Sequence, residues 1–216
     1  MTKAEALQQL EAEMAADTTL PLYGQANLVF GEGNIDCQVL FIGEAPGETE
    51  DRLKRPFVGR GGQLLDRMIE SIGWKRGDTY ITNIVKRRPP QNRDPLPEEI
   101  AAYKPYLTRQ IDIIAPKIIV TLGRFSMNYF LPEAKITRDR GRVWTVNGHF
   151  VYPVLHPAAA LRSPDMMKML QEDFQKLPTV LTGAVEPEAF ETYVPVLPPA
   201  RVEKKKETKP KQTGLF

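Results

Sequence analysis

The sequence predicts an α/β protein: a parallel sheet with helices on both faces. Three observations carry this expectation. Short apolar runs of strand length recur at residues 39–42, 79–85, 117–123 and 151–155. Segments with the apolar spacing of helices stand between them. Polar turns close the strands, above all after Ile42 and at His156. Strands alternating with helices bury both faces of a parallel sheet.

Residues 1–16 read as a helix, with Ala4, Leu7, Leu10 and Met14 on one face among good helix formers. Residues 17–24 form a turn-rich link and 25–36 an irregular loop. Val39, Leu40, Phe41 and Ile42 are long enough for a buried strand and too short for a helix. A Gly/Pro turn with carboxylates follows, from Gly43 to Glu48. After a basic loop, Gly61 and Gly62 lead into the helical spacing of Leu64, Leu65, Met68 and Ile69. Residues 79–85 are dense in β-branched and aromatic side chains, which suits a strand. The loop KRRPPQNRDPLP comes next, stiffened by prolines. Pro97, Glu98 and Glu99 start a helix well, with proline in the first turn and acids at the positive dipole end. That helix is expected to run to about Ala115, the next strand over 117–123, and a further helix over 124–130. Residues 141–155 read as a hairpin turning at Asn147-Gly148, whose second arm delivers His156. A last amphipathic helix is expected from Pro164 to about Leu177.

Composition narrows the class. The 216 residues suit one domain plus tails, and no apolar run approaches a membrane span, so a cytoplasmic monomer is expected. The single cysteine, Cys37, excludes an internal disulfide and any cysteine-based metal cage. The net charge of +2 is uneven: residues 201–211 carry +4, which leaves −2 for the remainder. Attraction for phosphates must therefore come from local clusters. The turn after Ile42 is no phosphate loop, because it lacks Gly-Lys-Ser/Thr and its acids would repel phosphate.

The segments GEAPGETED (43–51) and HPAA (156–159) resemble the two active-site motifs of the uracil-DNA glycosylase superfamily, in the branch called family four. RPFVGRGGQLL, YITNIVKRRPPQNRDPLPEE and PKIIVTLGR are similar to that family in the same order, and the likeness spans residues 22–177. The resemblance implies a three-layer α/β/α sandwich with a central four-stranded parallel sheet, occupying residues 1–182. It implies uracil-containing DNA as substrate and hydrolysis of the N-glycosidic bond.

Site roles follow residue by residue. Asn83 matches the residue that reads the pairing edge of uracil, since one carboxamide offers an acceptor and a donor. Phe57 matches the aromatic that stacks on the flipped base. Gly43 and Ala45 line the same pocket. His156 matches the donor to uracil O2. Glu44 either orients the attacking water or stabilises the cationic sugar, and Glu50 is a second candidate for the water. Arg60, Lys86, Arg88, Arg93 and Arg162 flank these elements as candidate phosphate contacts.

Family-four members hold an iron–sulfur cluster through four cysteines, and the matching positions here are Asp17, Leu20, Arg87 and Tyr103. Thiolates hold such clusters, so no metal and no cofactor is expected. Apolar packing by Leu20 and Tyr103, with an Arg87–Asp17 pair, is the expected replacement.

From residue 183 the chain turns proline- and lysine-rich, a composition that does not support a packed core. It ends in QTGLF, similar to the Gln-x-x-Leu-Phe peptide that docks repair proteins on the bacterial sliding clamp. Leu215 and Phe216 would fill an apolar pocket and Gln212 would bond at its rim. A flexible tether of about 29 residues spans roughly 30 Å. Two other readings stay open: a uracil-in-DNA binding module with weak catalysis, and a glycosylase for a broader set of deaminated bases.

Overall fold

The computed structural model describes residues 1–189. In chain order its elements are α1 (Lys3–Ala16), β1 (Glu32–Gly33), β2 (Val39–Gly43), α2 (Glu48–Leu53), α3 (Arg60–Ser71), β3 (Tyr80–Asn83), α4 (Pro97–Ile114) and β4 (Ile118–Leu122). Then come α5 (Arg124–Phe130), α6 (Ile136–Asp139), β5 (Trp144–Val146), β6 (His149–Val154), α7 (Pro157–Ala160), α8 (Pro164–Thr182) and β7 (Glu188–Ala189). Short 3-10 turns occupy Arg76–Asp78 and Pro90–Asn92. No described helix is long and apolar enough to cross a membrane.

The strands form one sheet in the order β1-β3-β2-β4-β6-β5-β7. The expected four parallel strands are its centre, β3-β2-β4-β6. The edges add more: β1 runs antiparallel to β3, β5 antiparallel to β6, and β7 parallel to β5. All five residues of β2 are buried, as a strand covered on both faces requires. Val39 and Phe41 join α3 and α8 in one core, while Leu40 and Ile42 join α1 and α4 in the other.

Local chemistry explains the helix and turn boundaries. Thr2 caps α1 by accepting from the Glu5 amide, and the Glu5 carboxylate accepts from Thr2 in return. Asn147 and Gly148 turn the hairpin with φ of 49° and 82°, the left-handed pair that a two-residue connection favours. Two boundaries differ from expectation. α8 continues past Leu177 and through Pro178, because Leu177 and Val180 both pack into the α3/α8 core. It stops at Gly183, whose φ is 77°. Beyond that helix, residues 188 and 189 still pair with the sheet, so the tail expected from residue 183 begins with a tethered stretch. Gln212, Leu215 and Phe216 lie outside the described residues.

The four positions expected to correspond to cluster ligands show how segment 17–26 is fastened. Leu20 and Tyr103 are buried in the α1/α4 core. The Tyr103 hydroxyl donates to the Pro21 carbonyl at 2.7 Å. Arg87 donates to the Ala26 carbonyl at 2.7 Å and lies over the Tyr23 ring, 5.1 Å from its centroid. The expected Arg87–Asp17 pair is not formed, since Asp17 accepts from Tyr106 at 2.7 Å and from Thr19 instead. These four side chains offer no thiolate, and Cys37 is buried two residues before β2. They do not fit an iron–sulfur cluster. Tyr103→Phe removes one internal hydrogen bond and is expected to lower unfolding free energy by about 1 kcal/mol in urea titrations, with the far-ultraviolet circular dichroism unchanged.

Candidate active site

The carboxyl ends of the parallel strands open onto a cleft of about 740 Å³, the position where open α/β sheets bind ligands. Glu44, Ala45, Glu50, Phe57, Arg60, Asn83, Arg93, His156 and Arg162 all line it. Residues more than a hundred positions apart in sequence thus meet at one end of the sheet.

Gly43, the last residue of β2, stands in register with Asn83, the last of β3. A Cβ at Gly43 would lie 2.4 Å from Phe57 Cζ and 2.5 Å from Asn83 Oδ1. Only a residue without a side chain lets that ring and that carboxamide approach here. Asn83 is buried and its Oδ1 has no hydrogen-bond partner in the protein. A buried acceptor without a donor is costly, so the position suits a ligand that brings an N–H. Phe57 adopts φ of 50°, a left-handed conformation that costs a bulky residue about 1–2 kcal/mol.

His156 follows β6 and caps α7. Its Nδ1 accepts from the Ala158 amide at 3.1 Å, which leaves Nε2 to carry the ring proton. Burial holds its pKa down to about 4, opposed by the charge of Glu50. The imidazole is therefore a neutral donor at physiological pH. Its ring centroid lies 5.8 Å from that of Phe57.

The sequence matches the family model described as "Uracil DNA glycosylase superfamily" over residues 30–178. The chain belongs to the uracil-DNA glycosylase superfamily. It is 47% identical over 184 residues to a type-4 uracil-DNA glycosylase of Sulfurisphaera tokodaii, covering 80% of this chain and 84% of that one. The type-4 uracil-DNA glycosylase of Saccharolobus solfataricus is 49% identical over 167 residues, or 73% and 77% of the two chains. That of Thermotoga maritima is 41% identical over 181 residues, or 81% and 94%.

The two acids Glu44 and Glu50 of the segment GEAPGETED stand in different settings. Burial pushes the Glu44 carboxyl up to about 7, reinforced by the charge of Asp94 and opposed by Arg124. Glu50 is committed elsewhere: its Oε1 accepts from the amides of Val58 at 3.0 Å and Gly59 at 2.7 Å. It braces the loop carrying Phe57 and satisfies amides at the start of α3.

The expected basic residues separate into groups. Arg60 and Arg162 are exposed on the cleft rim. Arg93 also lines the cleft, but its guanidinium forks onto Glu99 at 2.9 and 2.6 Å. Arg88 bonds Asn92 at 2.7 Å and lies 3.7 Å from Glu48, outside the cleft lining. Lys86 does not serve as a DNA contact. It is 0% exposed, and its Nζ donates to Thr82, Gln110 and the Phe30 carbonyl. Arg87 beside it is buried too and Arg88 is partly exposed, and the run Lys86-Arg87-Arg88 carries no periodicity that reveals which members turn inward.

Two lining residues escaped the sequence reading. Arg124 and Asp94 pair with each other at the cleft and set the field around Glu44. Arg124 closes the PKIIVTLGR motif at the end of a strand, and that position was the available signal.

The shift at Glu44 has a stability consequence. Its folded pKa of about 7 exceeds the ordinary 4.5, so the stability it contributes is complete below the lower value and lost as pH rises through the higher. Glu44→Gln is expected to raise Tm at about pH 8 and to leave it unchanged near pH 4.5, as scanning calorimetry would show.

Proposed function

We propose that this protein flips uracil out of DNA, hydrolyses its N-glycosidic bond and so starts base-excision repair without an iron–sulfur cluster. The chain is a DNA glycosylase, a hydrolase of N-glycosyl bonds. The observation that carries the finer reading is Asn83: a buried carboxamide whose Oδ1 has no partner, across Gly43 from the Phe57 ring. Uracil N3–H fits the Oδ1, and uracil O4 fits the donor on the same group. Cytosine presents an acceptor and an amino group there and is refused.

With the base stacked on Phe57, the C1′–N1 bond breaks and its electron pair stays on uracil. His156 Nε2–H donates to O2 as negative charge grows there. A neutral imidazole does so without losing its proton, and stabilisation of this kind in a dry site is worth the most. Glu44, as a carboxylate, faces the cationic sugar and receives the proton of the water that adds to C1′. Glu44 fills this role in preference to Glu50, whose Oε1 already holds two amides. Ala45 leaves room for the base, and Gly43 lets the Phe57 ring and the Asn83 carboxamide close around it. Arg60, Arg93, Arg162 and, newly, Arg124 hold phosphates along the rim, so binding weakens as salt rises.

Release of free uracil from a uracil-containing oligonucleotide, by protein shown to be iron-free by metal analysis, tests this reading. His156→Ala is expected to lose about 10²–10³ in rate, and the parent rate is expected to rise with pH as Glu44 ionises. Asn83→Asp is expected to gain cytosine release, because a protonated carboxyl supplies the donor that cytosine N3 needs. Tight binding of uracil-DNA with no base released would mark a binding module. Release of hypoxanthine or xanthine would mark a broader glycosylase.

The C-terminal QTGLF is proposed as a docking peptide for a bacterial sliding clamp, through Leu215, Phe216 and Gln212. The support is sequence: two apolar side chains beyond a lysine-rich stretch. Titration calorimetry is expected to give micromolar-range clamp binding, lost in a chain ending at Lys211, with excision on short oligonucleotides unchanged. Equal binding by both chains would remove the peptide from the account.

A further inference from the structure

Phe57 holds a left-handed φ of 50°, a conformation that a bulky residue keeps only when its surroundings impose it. Those surroundings centre on Arg76, in the 3-10 turn before β3. Its Nη1 donates to the Phe57 carbonyl at 3.1 Å and its Nη2 to the Pro56 carbonyl at 2.6 Å. The same guanidinium is fixed from the other side by Asp66 of α3 at 2.7 Å and Glu32 of β1 at 2.8 Å. Glu32 is itself held by Arg55, at 2.7 and 3.0 Å. Burial opposes ionisation of Glu32, but its bonds to Arg55 and Arg76 more than offset this and hold its carboxyl below the usual value.

The loop is thus gripped along both edges of its backbone. Arg76 takes the carbonyls of residues 56 and 57, and Glu50 takes the amides of 58 and 59. Gly62 lets the Phe57 peptide sit against α3, since a Cβ there would lie 2.0 Å from the Phe57 carbonyl oxygen. With the ring also seated on Gly43, the remaining freedom of Phe57 is rotation of its peptide plane, and Arg76 fixes that plane. Arg76 does not line the cleft.

We propose that Arg76 is a positioning residue for the glycosylase reaction, acting through Phe57: its fork on two successive carbonyls sets the tilt of the ring against which the flipped base stacks. This rests on the stacking role given to Phe57 above. Lysine does not replace it, because a single ammonium lacks the planar donor array that meets two carbonyls and two carboxylates together.

The test is a double-mutant cycle on excision from a uracil-containing oligonucleotide, using Arg76→Gln and Phe57→Ala singly and together. Arg76→Gln alone is expected to lower kcat/KM by about ten- to a hundredfold, mostly through KM, without moving the pH profile. In the Phe57→Ala background the same change is expected to alter kcat/KM by less than about twofold. Equal losses in both backgrounds would make Arg76 general scaffolding and overturn the proposal while leaving the stacking role intact. A Phe57→Ala variant as active as the parent would overturn both. Should Arg76→Gln fail to fold, Arg76→Lys takes its place in the same cycle, with coupling and additivity read the same way.

Discussion

Residue 43 has no Cβ, and the geometry of the whole cleft turns on that missing atom. The parallel pairing of β2 and β3 puts Gly43 level with Asn83, and the loop after α2 brings Phe57 down onto the same spot. Three requirements then converge on one point of backbone: a strand end, a buried carboxamide and a ring. Any side chain there would separate the amide from the ring by pushing one or both aside. The glycine is needed for space, because its own φ is ordinary; the strain appears one element away, at Phe57.

Burial acts on the Glu44 and His156 side chains in opposite senses and for one reason. Low local polarity disfavours charge, so the carboxyl of Glu44 goes up to about 7 and the imidazole of His156 down to about 4. Both are moved toward their neutral forms. In the proposed reaction, charge that develops on the substrate would meet donors already in place, without a shell of water to reorganise.

Much of the sheet, and several residues that meet in the cleft, could be read from the sequence. Apolar runs of strand length marked β2, β3, β4 and β6, and the turns after two of them carried Glu44 and His156. Asn83, Phe57 and the glycines came through family likeness, because a lone asparagine or phenylalanine in a sequence has no distinguishing pattern. What stayed hidden has a common physical character. Lys86 looks like its basic neighbours until the fold turns it into a buried network with Thr82 and Gln110. Glu50, a second acid of the same loop, binds the amides of Val58 and Gly59 through one oxygen, a backbone contact the sequence does not mark. Arg76 sits beyond the motifs and grips backbone carbonyls, which sequence does not label. α8 runs on through Pro178 because buried Leu177 and Val180 outweigh a local break.

The fastening of segment 17–26 to α4 and to the loop after β3 has a consequence for how the protein meets an oxidising environment. Phenol hydroxyls on a carbonyl and a carboxylate, and a guanidinium on a carbonyl, are closed-shell contacts that exchange no electrons under cellular conditions. They assemble as the chain folds and need no delivery machinery or reducing agent. Peroxide or superoxide finds no exposed sulfur at this joint, since the one cysteine is buried elsewhere. A joint of this kind holds its shape whether its surroundings are reducing or oxidising.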